Sequence, residues 1–179
     1  MSIIRLGVLG GLVALVATSI LLYPQLPDMI PRSIDANGRA GGMIARSPFS
    51  WGFPIAICIS VALVVEVIRA KLPTRPDLFN FPGKEQLLRL PAEYHGEVVS
   101  QMQLFMDITN AQMLVVFALV QWMLWRGAHG QRSEALTIAL LVLPVLLLVG
   151  MGLLLSRLQE AVDRAQRRYD SRRNPLNTD

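Results

Sequence analysis

Cysteine is nearly missing from this chain: Cys58 is the only one in 179 residues. One thiol cannot close an intramolecular disulfide and cannot found a zinc site. Histidine is almost as scarce, with His95 and His129 alone. In the topology derived below they fall on opposite sides of a membrane, so they cannot share a metal or a haem. Charge is thin at 17%, against about 25% in ordinary soluble domains. The sequence has no Gly-rich phosphate loop, no Walker lysine and no nucleophile motif. These absences leave no ligand set for a metal or cofactor. Without convergent catalytic groups, the chain reads as non-enzymatic.

What is present in excess is apolar sequence. Hydrophobic residues make up 53% of the chain and the mean hydropathy is +0.43. The excess is gathered into four windows without a charged residue, at 6–27, 47–65, 108–125 and 135–156. A spanning helix needs about 20 apolar residues to cross about 30 Å of hydrocarbon, and each window is long enough. None shows alternation or a single apolar stripe, as expected of helices surrounded by lipid and by one another. The first window follows Arg5 and has Ala14 and Ala17 but no convincing cleavage site, so it reads as an uncleaved anchor. The predicted fold is an all-α membrane protein of four transmembrane helices.

Four spans place both termini on one side. Twelve of the 17 lysines and arginines fall in the segments on that side: the N-terminal tail, residues 69–107 and the C-terminal tail. The other side carries five: Arg32, Arg39, Arg46, Arg126 and Arg132. The positive-inside rule therefore predicts that both termini are cytoplasmic. Tyr23, Trp51, Trp122 and Trp125 then fall at one interface, the outer one, as an aromatic belt. The formal net charge of +4 follows from topology and contact with anionic lipid, not from nucleic acid.

The segments divide the chain. Residues 1–70 form a helical hairpin around an ordered outer loop, 24–50. Pro24, Pro27 and Pro31 stop a helix there, and Asn37-Gly38 marks a turn at which a short extended piece folds back. This turn chemistry makes Arg32, Asp35, Asn37, Gly38 and Arg39 the candidate contacts for a partner. Residues 71–92 read as an irregular Pro-rich cytoplasmic loop. Residues 93–157 form a second helical hairpin, whose first helix runs unbroken from about 93 to 126. Residues 158–179 form a basic cytoplasmic tail with helical character.

Three smaller constellations stand out. Asp107, Asn110 and Gln121 lie within about 60° of one another on a helix. Polar groups in a bilayer need partners, so this stripe faces the bundle interior, either lining a cavity or supplying interhelical hydrogen bonds. Glu66, Arg69 and Arg157 lie at the inner end of the spans, near Asp107, and read as an ionic cluster. Gly7 and Gly11 form a G-x-x-x-G pair that permits close helix approach, within the bundle or in a homo-oligomer.

The run Leu26-Pro27-Asp28-Met29-Ile30-Pro31, followed by Asp35-Ala36-Asn37-Gly38-Arg39-Ala40-Gly41, resembles the N-terminal domain of the bacterial SdpI-like immunity family. The resemblance covers about residues 5–70. Where that family commonly has a histidine and an aromatic, this chain has Ser33 and Ile34. Where it commonly has Pro-Asp, this chain has Ala40 and Gly41. The resemblance implies an immunity-like or accessory role, in which the outer loop binds a peptide or a membrane-protein partner. The alternative is a small transporter or channel-like module that uses the polar stripe.

Overall fold

In a computed structural model the described residues are 2–173, apart from Ala36 and Ser133. The end of the predicted basic tail, 174–179, lies outside them. Five helices and one β-hairpin follow in the order α1 (Ile3–Leu22), β1 (Met29–Ile34), β2 (Ala40–Ala45), α2 (Pro48–Lys71), α3 (Lys84–Arg89), α4 (Gly96–Ala128) and α5 (Glu134–Arg173). Four of these helices are long and apolar enough to cross a membrane. The chain reads as a multi-pass membrane protein. In α5 none of the described residues of the most apolar window is buried by protein.

The chain divides into two compact units, the first comprising Met1–Val64 with Ile108–Leu147 and the second Val65–Asp107 with Leu148–Asp179. In the first unit, α1 starts at Ser2, whose Oγ accepts from the Arg5 amide. A second cap opens α2. The Ser50 amide donates to Ser47 Oγ at 3.0 Å and the Ser47 amide donates to Ser50 Oγ at 2.9 Å. This is a reciprocal capping arrangement with Pro48 at the first helical position. Two apolar clusters fill the unit. Leu15, Ile55 and Cys58 meet Leu114 and Phe117 midway along the helices. Leu26, Ile30 and Trp51 meet Tyr23, Ile44, Leu124 and Trp125 beneath the hairpin.

Trp51 departs from the belt reading. It is 3% exposed, and its Nε1 donates to the Ser19 carbonyl at 2.9 Å. Burial of its large ring together with a satisfied N–H makes it a core residue. Trp122 remains exposed and stacks on Trp125 with ring centroids 5.1 Å apart.

The second unit is built where an irregular loop was expected. Residues 71–92 contain α3 and a short 3₁₀ turn at Pro76–Leu78, and Leu72, Phe81, Leu87 and Leu90 are buried. Leu72, Phe81 and Leu87 join Val98, Met102, Met106, Leu158, Ala161 and Val162 in one core. The apolar side chains spaced along the start of α4 thus pack on protein. The end of α5 is used in the same way. Arg164 and Arg168 meet Glu97 at 3.0 and 3.1 Å, Arg172 approaches Glu93 at 4.0 Å, and Tyr94 packs edge-on against Tyr169. Arg164, Arg168 and Arg172 of the basic tail are therefore paired with acidic residues. Arg167 and Arg173 remain exposed.

Candidate functional site

The hairpin is the most specifically constructed surface in the first unit. β1 and β2 pair antiparallel, with Met29 opposite Ala45, Ile30 opposite Ile44 and Ile34 opposite Ala40. Its turn is closed by one carboxylate. Asp35 Oδ1 accepts from the Asn37 amide at 2.9 Å and from the Arg39 amide at 2.8 Å. The Asp35 amide donates to the Arg39 carbonyl, and Gly38 takes the left-handed conformation at φ 71°. Asp35, Asn37 and Gly38 thus have a role within the turn itself, the Asx geometry that short polar side chains favour. Gly38 is buried, whereas Arg32, Asp35, Asn37 and Arg39 are exposed.

The base of the hairpin is tied down by Arg46. Its guanidinium donates to the Leu26 carbonyl, lies 3.7 Å from Asp28 and stacks 5.6 Å from the Tyr23 ring centroid. Gly127 of α4 supports it from another side. A Cβ there would lie 3.0 Å from both Pro31 Cγ and Ile34 Cδ1, closer than side-chain atoms normally approach. Neither Arg46 nor Gly127 was singled out in the sequence. Their signals, a cation after a short strand and a glycine near a helix end, are too common to stand out alone.

Arg32 and Arg39 have no ion-pair partner among the described residues, while Asp28 is met by Arg46 and Glu134 by Arg132. The hairpin therefore presents two exposed cations and one carboxylate, Asp35, whose Oδ1 is held by the turn amides. Beneath β1 lies a cleft of about 480 Å³, with Arg32 and Asp35 on its polar side and apolar walls from Pro54, Val120, Leu124, Leu140 and Leu141. Buried Met123 and Thr137 also line it.

The other predicted residues fall as follows. In the second unit, Arg69 Nε lies 2.8 Å from Asp107 Oδ1, a contact ion pair in which Asp107 is 4% exposed. Glu66 is half-buried on α2, and Arg157 is exposed on α5. In the first unit, Gln121 Nε2 donates to the Trp51 carbonyl at 3.3 Å. Asn110 is buried and its Oδ1 has no hydrogen-bond partner among the described residues. Gly11 packs against Leu114, while Gly7 is exposed with open space around it. Outside the spans, Arg75 forms a two-pronged bond to Asp77, both contacts at 3.0 Å. Its hydrogen bonds hold the Asp77 carboxyl below the ordinary carboxylate range. Among the described residues, no group of three or more His, Cys, Asp or Glu could hold a metal ion.

No family model, curated protein or solved structure matches this chain.

Proposed function

We propose that this chain is a non-catalytic integral membrane protein that binds a peptide or membrane-protein partner through its hairpin, in an immunity-like or accessory-subunit role. Its place is the bacterial cytoplasmic membrane, with both termini cytoplasmic and the hairpin outside. The orientation is supported by the asymmetry of twelve cations against five. The observation that carries the binding reading is the contrast within the hairpin. Arg46, Asp35 and Gly127 brace the backbone, yet Arg32 and Arg39 are exposed and form no ion pair among the described residues. Rigid display of a net positive charge lowers the ordering cost of binding and favours an acidic partner surface. The resemblance to the SdpI-like family points the same way.

The transporter-like alternative has less support. Asp107 is engaged by Arg69, and Gln121 is engaged by the Trp51 carbonyl, so two residues of the stripe serve packing.

The test is crosslinking and pull-down of the intact chain from native membranes, with partners identified by mass spectrometry. One stoichiometric partner is expected, and Arg39→Glu should weaken its capture about tenfold or more, the size of one lost charge-assisted hydrogen bond. Recovery of the chain alone, or capture indifferent to Arg39→Glu with insertion intact, overturns the proposal.

A further inference from the structure

The cleft beneath β1 differs from the exposed hairpin tip in chemistry as well as position. Its volume, about 480 Å³, lies within the range of about 300–1,000 Å³ typical of small-ligand sites. Its walls come from four separate parts of the first unit: β1 with the turn, α2, α4 and α5. Val120, Leu124, Leu140 and Leu141 supply an apolar wall on helices long enough to span the membrane. Arg32 and Asp35 supply one cation and one carboxylate on the hairpin side.

An occupant must therefore have an apolar chain and a head bearing both signs of charge. A solvated peptide would leave Leu140 and Leu141, each belonging to a span, against polar atoms. A simple anion would satisfy Arg32 but would meet the negative Asp35. Asp35 Oδ1 is already committed to the Asn37 and Arg39 amides, which leaves Oδ2 for a donor. A primary ammonium supplies one, because it is a compact charge with three N–H groups, whereas a quaternary ammonium carries none.

We propose that this cleft binds one phospholipid with a phosphoethanolamine head. The phosphate pairs with the Arg32 guanidinium, the ammonium meets Asp35, and an acyl chain runs along Leu124 and Leu140. Such a lipid would brace the hairpin from the membrane side. The proposal shares Arg32 with partner capture but not Arg39, which does not line the cleft. Arg39→Glu therefore interrogates the partner, and cleft variants interrogate the lipid.

Native mass spectrometry of the intact detergent-purified chain reads this directly. The probes are palmitoyl-oleoyl phosphatidylethanolamine, phosphatidylglycerol and phosphatidylcholine with matched chains. The ethanolamine lipid should be retained about threefold to fivefold over both others, the size expected of one partly exposed ion pair. Asp35→Asn keeps an Oδ1 acceptor for the two turn amides, so the hairpin survives while the carboxylate charge is lost. It should erase the preference over phosphatidylglycerol. Arg32→Gln should reduce retention of all three lipids, because each carries the phosphate, and so should Leu140→Trp, because each carries the acyl chains. Equal retention of the three lipids overturns the proposal. So does an ethanolamine preference that survives Asp35→Asn, or a preference for phosphatidylglycerol in the unmodified chain.

Discussion

Replacing Asp107 with Leu strands the Arg69 guanidinium, and the cost can be worked from their contact. The two charged groups lie 2.8 Å apart, with 4% of the Asp107 side chain and 15% of the Arg69 side chain exposed. Breaking a buried pair from one side costs about 3–5 kcal/mol, because an uncompensated charge stays behind. Arg69 lies in the last turn of α2 and can extend part of its side chain toward water, which favours the lower end of that range. At about 2–4 °C per kcal/mol for a chain of this size, Asp107→Leu should lower the melting temperature by roughly 6–12 °C. The double replacement Arg69→Met with Asp107→Leu removes both charges and leaves two apolar side chains. Its expected stability is equal to or above that of the unmodified chain, since apolar replacement of a whole buried pair is often neutral or stabilising by about 1–4 kcal/mol. The assay is thermal unfolding of the purified protein in one fixed detergent, followed by circular dichroism at helix wavelengths. If the double variant melts as low as Asp107→Leu, the pair is not the source of the loss and the reasoning fails.

Other expectations can be checked independently. Gly127→Ala forces a Cβ within 3.0 Å of Pro31 and Ile34, so it should destabilise by about 1–3 kcal/mol as an overpacked contact, despite the helix propensity gained, and should speed proteolysis of the hairpin. Gly11→Leu should clash with Leu114 and lower the melting temperature, whereas Gly7→Leu should not; equal losses would contradict the different surroundings of the two glycines. Because Asp77 titrates below the ordinary carboxylate range, the Arg75 contact contributes above that range and is lost as pH falls through the lowered pKa. Carbon NMR of the Asp77 carboxyl should show that low midpoint, and Arg75→Gln should raise it. On a Cys58→Ala background, Asn37→Cys should react with an impermeant thiol reagent in intact cells and Ser171→Cys only after lysis; the reverse pattern would refute the orientation.

The four spans were legible because their signal is local. A run such as 135–156 needs no partner to be recognised: its composition alone makes lipid a better solvent than water. The hairpin was partly legible for the same reason, since Asn37-Gly38 carries its turn preference in two adjacent residues. The role of Asp35 was not, because a carboxylate that closes a turn and one that meets a partner look alike in sequence. Residues 71–92 misled for a related reason. Their prolines argue against regular structure, yet Leu72, Phe81 and Leu87 find burial against residues of α4 and α5 far along the chain. The basic tail gave no sign in sequence that Arg164, Arg168 and Arg172 meet Glu93 and Glu97, some 70 residues earlier.

The sequence by itself determined how many helices are long and apolar enough to cross a membrane and where the chain turns, because hydrophobic length and turn preference are properties of neighbouring residues. Only the tertiary structure decided that Asp107 meets Arg69, that Gln121 meets the Trp51 carbonyl, that Trp51 is buried, and that a cleft opens beneath β1. Each of those depends on groups distant in sequence meeting within a few ångströms, and hydrogen bonds, ion pairs and close packing act only at that range.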